Sequence, residues 1–462
     1  MHKKHVQIEE TPFGYTYMHK SRVQIKERRK IRMLETIILI GLMFLLIFVG
    51  VPICFAFAGV SVVGLLLIGN NPINVIPQGL FGGMNSFTIL AIPFFVFAGE
   101  LMNYGGITKR LVRFSTLLIG RMKASLAQVN IVASMFFGGI TGSAVADTSS
   151  VGGMLIPAMI EEGYDPDFSV AVTASSSVIG PIIPPSIVMV VYGATVSTSI
   201  GAMFLGGIIP GILVGLALMA VVALMARKHD FPRRTERFSR KEAVEIVLAA
   251  IFPMGMPLII LGGILSGIFT PSEAGAVSAA YSLVVGAFIT RGQIFKAIPR
   301  MLLKTAKTTA GILFIMGNAM IISRIFAYLR VQQSLGLFVS TYLNNKILFL
   351  VFVNILLLFM GMFMEGSATI ILLAPILAPI AASLGIHPVQ FGLIMCMNAV
   401  IGNATPPVGV CLFIGCDIGR IKLWEGAKKI APFILAEILV LLMVSYIPAL
   451  TTFLPKAAGL IK

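Results

Sequence analysis

Two short segments stand out for the chemistry their residues could perform. VIGPIIPP occupies residues 178–185 and VIGNATPP occupies residues 400–407, each inside an apolar run long enough to cross a bilayer. Paired prolines remove two backbone donors and clash with the preceding turn, and the glycine loosens the backbone further. A helix carrying this pattern must break within the membrane. The carbonyls it frees would cost several kcal/mol each in hydrocarbon, so they must face a cavity, water or an ion. Freed carbonyls and Ser/Thr hydroxyls together make a hard oxygen cage suited to Na⁺. The N-terminal end of a half-helix carries partial positive charge and suits a carboxylate.

A second polar interruption precedes each break. The first is TGSAVADTSS, residues 141–150, between an apolar helix at 126–141 and another at about 148–160. The second is EGSAT, residues 365–369, between apolar stretches at 347–364 and 369–383. Each fits a re-entrant hairpin that enters the membrane and turns back. Two spanning helices with a tight loop are the alternative, but they need no hydroxyl-rich tip. GSA recurs at 142–144 and 366–368, and GYDP at 163–166 is echoed by GIHP at 385–388. The last match and the VIG-xxx-PP pair share one offset of 222 residues, and GSA departs from it by two. Ordered matches of this kind mark an internal repeat. Broken helices at corresponding places in two halves point to a substrate and ion site near the midplane of a secondary transporter.

Composition sets the surroundings of these segments. Of 462 residues, 57% are apolar and 12% charged, against about 25% charged in a soluble protein. At roughly 35–45 residues per span with its loop, the chain holds about ten spans. The expected fold is an all-α polytopic membrane protein with about ten transmembrane helices, two re-entrant hairpins and two broken helices. Residues 1–33 form a basic leader. Residues 34–226 form the first repeat, with its hairpin at about 126–162. Residues 227–245 are a basic loop, and residues 246–455 are the second repeat, with its hairpin at about 347–383. The apolar runs at 36–54 and 55–69 are nearly continuous around Gly50-Val51-Pro52. Stretches 108–125 and 329–346 are amphipathic and suit helices at the membrane surface.

Charge bears on topology. Lys and Arg number 35 against 19 Asp and Glu, a formal charge of +16. The basic residues sit between apolar runs, which points to topology and anionic lipid rather than nucleic acid. The middle segment RKHDFPRRTERFSRKE, 227–242, has seven Lys/Arg and three acids, which places it in the cytoplasm. Five spans per half then put the N-terminus on the other side. The leader, with nine Lys/Arg and an imperfect repeat of MHKKHVQIE (1–9) as MHKSRVQIK (18–26), argues for the inside. The leader reads as disordered or as an over-long start with translation beginning at Met33; that start, or a different split of 36–69, removes the conflict. The first apolar run has no small-residue cleavage site and reads as a retained helix. Cys54, Cys396, Cys411 and Cys416 lie in apolar context and read as small buried hydrophobes, not as a disulfide or zinc framework.

Acidic residues inside apolar runs are costly, at about 2.5–3.5 kcal/mol or more. Asp147 and Glu365 lie in the hairpin tips and are functional candidates. Glu100 and Glu437 are expected to pair with Lys or Arg. Glu273 follows Pro271-Ser272 and reads as a helix N-terminal residue. His387 sits by a turn. The chain has no HExxH pair, no phosphate loop and no Ser-His or Cys-His constellation, so an enzyme is not expected. A passive channel would not need paired broken helices. Active transport by this chain would draw on an ion gradient.

Three segments carry a family resemblance. GGITGSAVADTSSVGGMLIPAM (138–159), ASSSVIGPIIPPS (174–186) and NAVIGNATPPVG (398–409) resemble the large membrane subunit of tripartite ATP-independent periplasmic (TRAP) transporters, the DctM-like permeases. The resemblance runs from about Met33 to the C-terminus. It implies an elevator-type, Na⁺-coupled transporter of the ion transporter superfamily with two inverted repeats, in the inner (cytoplasmic) membrane of a bacterium or archaeon. It implies an organic acid substrate such as a C4-dicarboxylate, sialic acid or a sugar acid, delivered by a periplasmic binding protein. It also implies a separate small four-helix membrane subunit. Two or more Na⁺ are expected as coupling ions. By motif, one Na⁺ would lie near Ser143, Asp147, Gly180 and Ser176, and another near Gly366, Gly402 and Thr405. The carboxylate substrate would lie near Ser143, Ser367, Asn403 and Pro185. A stand-alone Na⁺/carboxylate symporter of related fold is the alternative.

Overall fold

The computed structural model describes residues 31–68, 74–228, 231–232, 238–342 and 345–461. Residues 1–30 of the basic leader, and residues 229–230 and 233–237 of the middle loop, lie outside the described residues. Among the described residues the structure is all helical. In chain order the first helices are α1 (Ile31–Phe48), α2 (Ile53–Ile68), α3 (Val75–Met84), α4 (Ala91–Tyr104) and α5 (Ile107–Ile119). Then come α6 (Ser125–Thr141), the short α7 (Ala144–Asp147), a π-helical turn at Thr148–Gly152, α8 (Gly153–Glu161), α9 (Pro166–Ser177), α10 (Ile187–Val196) and α11 (Ile200–Lys228). The second half has α12 (Arg240–Leu265), α13 (Pro271–Ile289), α14 (Ile294–Tyr328), α15 (Val331–Tyr342), α16 (Lys346–Gly361) and α17 (Gly366–Ser383). It ends with α18 (Pro388–Gly402), α19 (Val410–Gly419), α20 (Leu423–Tyr446) and α21 (Ala449–Ala457).

Local chemistry sets several of these boundaries. The run at 36–69 divides at Gly50, whose φ of +91° is open to glycine at little cost. Ser239 and Glu242 form a capping box, with the Ser239 N–H donating to Oε2 of Glu242 at 2.7 Å. That cap starts α12 at Arg240, inside the stretch read as loop from charge alone. Thr270 and Glu273 make the same box ahead of α13, with Pro271 at its first position. Glu273 is the helix N-terminal residue expected of it. His387 caps α18, its Nδ1 accepting from the N–H of Val389 at 3.2 Å.

Among the described residues, seven helical stretches are long and apolar enough to cross a membrane, or eight if the bent pair α20–α21 is one span. One of the seven is α17, the return arm of the second hairpin. The shorter apolar helices include α2, α6 and α16, and the pairs α9–α10 and α18–α19 flank the two breaks. The structure thus divides the apolar sequence into more and shorter pieces than a count of spans does.

The helices pack as a frame and an inner body. In the frame, α14 lies along α2, α3 and α4, α13 packs on α4 and α12, and α12 meets α5. A Cβ at Gly83 of α3 would come within 2.8 Å of Cα of Gly317 in α14, the close approach that small residues allow in membranes. In the inner body, α6 packs on α9, and α16 and α17 on α18. The halves also exchange elements: α10 packs against α17, while α19 packs against α8, α9 and the π-helical turn.

Side-chain contacts fix the helix directions. Arg32, at the start of α1, lies 5.7 Å from the ring centroid of Tyr328 at the end of α14. Going backwards along α14, Ile321 meets Gly79, Gly317 meets Leu80 and Gly83, and Lys304 pairs with Glu100 at 2.7 Å. The Glu100 pair is the one expected from sequence. The start of α14 adjoins the end of α13, where Ile294 meets Gly286. Helix α13 runs antiparallel to α12, with the Tyr281 hydroxyl donating to the Phe252 carbonyl at 2.8 Å. Helix α1 therefore begins on the face opposite the middle loop. The turn between α8 and α9 lies on the middle-loop face, where the Tyr164 hydroxyl donates to the Pro232 carbonyl at 3.2 Å. Helix α20 begins beside α9, with Lys429 3.6 Å from Asp167. It ends beside the start of α18, where Gln390 donates to the Ser445 carbonyl at 2.9 Å. The turn between α17 and α18 is thus on the opposite face.

A labelling experiment checks this arrangement. In spheroplasts, a membrane-impermeant maleimide should label a cysteine placed at Lys456 but not one placed at Ser239 until the membrane is opened. Labelling of both, or of Ser239→Cys alone, would contradict these directions.

Candidate functional site

The first assembly forms where hairpin and broken helix cross. Helix α6 ends at Gly142, in the left-handed region with φ +59°, and Ser143 caps α7 by accepting the Ala146 N–H at 3.3 Å. The turn at Gly142 is pressed onto the first break: a Cβ there would overlap the carbonyl of Pro185. One helical turn earlier, a Cβ on Gly138 would lie 2.6 Å from Cα of Gly180. The Ser143 carbonyl faces Gly180, 3.6 Å from the position of a Cβ at that residue. Ser143, Gly180 and Pro185 thus come together.

Asp147 ends α7 and is fully buried. Among the described residues neither of its carboxylate oxygens has a hydrogen-bond partner. The hydroxyls of Ser134 and Ser177 face it, but Ser134 donates to Ser176 Oγ at 3.1 Å and Ser177 to the Thr173 carbonyl at 2.8 Å. Ser176 belongs to a network between α6 and α9. It donates to Oδ1 of Asn130 at 3.1 Å, and Asn130 donates to Thr173 Oγ1 at 2.6 Å.

The second assembly follows the same plan with different residues. Helix α16 ends at Gly361, which lies against Gly402 at the end of α18; a Cβ on Gly402 would overlap Gly361 backbone atoms. Glu365 caps α17, accepting the N–H of Ser367 at 3.1 Å and its hydroxyl at 3.1 Å. Gly366 is the first residue of α17, and a Cβ there would be 3.8 Å from the side chain of Val400. Across the break, the Gly409 N–H donates to the Met362 carbonyl at 3.3 Å and the Cys411 N–H to the Asn403 carbonyl at 2.9 Å. The Thr405 hydroxyl donates to the Ile401 carbonyl at 2.8 Å. Asn403 is buried, and its Oδ1 has no partner.

The assemblies touch through the segments that follow each break. Val188 of α10 lies 3.7 Å from a Cβ position at Gly366, and Cys411 of α19 faces Thr148 and is within electrostatic reach of Asp147 and Glu365. Caps Ser143 and Glu365 are 222 residues apart, as are Gly180 and Gly402. The GSA strings fall out of this register, since Gly142 ends a helix and Gly366 begins one.

Sequence reasoning missed several residues. Gly138 and Gly361 form the glycine-on-glycine crossings, and the signal was a glycine at nearly the same offset ahead of both tips. Asn130 and Asn354 anchor polar networks under the two breaks. Asn354 accepts from Asn398 at 2.8 Å and donates to Ser445 at 3.0 Å. Asn398 stands 222 residues beyond Ser176. Glu437, expected to pair with a cation, is fully buried with both oxygens unpartnered.

The family model described as "Tripartite ATP-independent periplasmic transporter, DctM component" matches residues 40–450. The chain is 38% identical over 411 residues to the sialic acid TRAP transporter large permease protein SiaM of Vibrio cholerae, covering 89% of this chain and 96% of that one. It is 38% identical over 396 residues to the C4-dicarboxylate TRAP transporter large permease protein DctM of Pseudomonas aeruginosa, covering 86% and 92%. Among solved structures, the YdaH transporter of Alcanivorax borkumensis is similar in fold, with a TM-score of 0.54 at 15% identity, covering 81% of this chain and 88% of that one.

The glycine crossings give a direct test. Gly402→Ala should lower transport at least tenfold and destabilise the protein by about 1–3 kcal/mol, the usual range for overpacking. Gly153→Ala, where a Cβ meets nothing within 4 Å, should do neither. Thermal unfolding and uptake measured side by side would decide it.

Proposed function

The chain belongs to the DctM component family of tripartite ATP-independent periplasmic transporters, and on that premise we propose that it is the large subunit of a Na⁺-coupled importer of an organic acid. The family is one of transporters rather than enzymes, and its members are multi-pass proteins of the inner membrane. The substrate class proposed is the one named for the relatives, a C4-dicarboxylate or sialic acid. Two further proteins complete the system: a small four-helix membrane subunit and a periplasmic binding protein that delivers the acid.

The observation that carries the ion coupling is Asp147. A buried carboxylate with two unpartnered oxygens is expensive in a membrane interior, and a cation at the tip would relieve that cost. The chemistry present fits Na⁺: a carboxylate, the hydroxyls of Ser134 and Ser177 facing it, and the Ser143 carbonyl directed at Gly180. The second crossing offers Thr405, Gly366 and the carbonyls near Gly402 for another Na⁺. Ser143, Pro185, Ser367 and Asn403 would line the substrate, and the unpartnered Asn403 Oδ1 would accept from a hydroxyl where the acid carries one.

Movement is proposed as an elevator. The exchange of α10 and α19 between halves supports one inner body that moves whole against the frame of α1–α5 and α12–α15. The placement of the α8–α9 and α17–α18 turns on opposite faces supports an inverted pair of repeats.

The purified protein tests the coupling. NaCl should raise the unfolding temperature saturably, with choline chloride at equal ionic strength giving no such rise. A site filled at a hundredfold excess over Kd contributes about 2.7 kcal/mol. Asp147→Asn and Thr405→Ala should each reduce the Na⁺ response, while Gly153→Ala keeps it. A folded protein without any Na⁺-specific shift would remove Na⁺ from the proposal.

A further inference from the structure

Helix α20 carries a carboxylate that neither hairpin uses. Glu437 is fully buried, and among the described residues both its oxygens lack a partner. Its helix starts beside α9 at the Lys429–Asp167 pair, 3.6 Å apart, and the two helices pack side by side. The ring of Phe433 is 6.1 Å from that of Phe168, centroid to centroid. Glu437 is one turn beyond Phe433. Ser175 is two turns beyond Phe168 and shares its face of α9. Counted from the ion pair, Glu437 and Ser175 are each eight residues along, and counted from the ring pair Ser175 is three residues further, so the parallel register brings them within about one turn of each other.

Ser175 is itself fully buried, and its hydroxyl oxygen has no partner. Two polar side chains thus stand unsatisfied within about one turn of each other in the seam, Ser175 being one turn before α9 breaks at Val178. In hydrocarbon surroundings each such group is expensive. They do not satisfy one another by a hydrogen bond, as a shared proton would require. A small ion held by both oxygens would satisfy them together. One carboxylate balances one positive charge, and among the described residues no cluster of three or more His, Cys, Asp or Glu offers a divalent site.

We propose that Glu437 and Ser175 form a further Na⁺ site in the α9–α20 seam, separate from the two hairpin crossings. It rests on the Na⁺-coupled reading of the transporter. Its position links it to them. Cys411, which faces the π-helical turn of the first hairpin, is within electrostatic reach of Glu437 as well as of Asp147 and Glu365. A cation at Glu437 would therefore be felt at both tips, and its loss would weaken Na⁺ binding there less than removal of a tip residue.

Equilibrium binding of ²²Na⁺ to the purified full-length protein, at fixed pH and with choline as the replacing cation, tests the site. The wild type should bind one Na⁺ more per chain than Glu437→Gln, and Glu437→Asp should retain the full number. Ser175→Ala should hold the same number but bind one of them about tenfold more weakly, which provides the test if Glu437→Gln does not fold. An unchanged number and affinity in folded Glu437→Gln and Ser175→Ala would overturn the site and leave the hairpin reading intact, including the case where Glu437→Gln alters only the pH dependence of uptake. A wild type that binds no Na⁺ would overturn both.

Discussion

Backbone polar groups released inside a hydrocarbon layer must find partners, and most of this structure follows from that constraint. Pro184-Pro185 and Pro406-Pro407 stand just beyond the ends of α9 at Ser177 and α18 at Gly402, in the middle of apolar sequence. Before each break the backbone bonds tighten from four residues to three, at Val178 to Gly180 and at Asn403 to Thr405. What cannot be satisfied within the helix is covered by a hairpin. The Gly138–Gly180 and Gly361–Gly402 crossings bring the two backbones close enough for this, because no side chain stands between them. The hairpins are therefore covers for the breaks.

Polar side chains hold these covers in register. Asn130, Ser134, Thr173 and Ser176 tie α6 to α9, and Asn354, Asn398 and Ser445 tie α16, α18 and α20. Single hydrogen bonds of this kind in membranes are worth on average about 0.6 kcal/mol. Their value lies more in position than in total energy: they fix the sliding of one arm against the broken helix, so a shift would strand buried amides. The carboxylates obey a different rule. Glu100 is paired by Lys304, and Glu365 is satisfied by its own helix end. Asp147 and Glu437 have neither remedy, which singles them out among the buried acids.

Much of this was legible in the sequence because proline and glycine act locally. The two VIG-xxx-PP segments announced the breaks, and the polar tips announced the interruptions after α6 and α16, although α16 ends and α17 begins three residues earlier than the apolar pattern suggests. Charge announced the middle loop, but the Ser239–Glu242 cap then drew six of its residues into α12. The Glu100 pair followed from the cost of a bare charge. Glu437 followed the same rule on paper and did not obey it: among the described residues no Lys or Arg pairs with it, the nearest along its helix, Lys429, being held by Asp167. The glycine crossings and the Asn networks depend on which helix faces which, and periodicity alone does not carry that information. The GSA strings show the opposite hazard: their letters match where their backbones do not.

The difference between the tips has a consequence for the substrate. At the second hairpin, Glu365 places a carboxylate on the N–H groups of Ser367 and Ala368, so the positive end of α17 is already neutralised by the chain itself. A carboxylate substrate gains little there. Helix α10 is capped by the neutral hydroxyl of Ser186, which accepts from Met189. Helix α19 begins at Gly409 with no side-chain cap at all. On the proposed reading, the helix end with the most unspent positive character is that of α19, beside Asn403 and Thr405. The two halves share one backbone plan, but their caps divide the work, one end holding its own anion and the other left open to receive one.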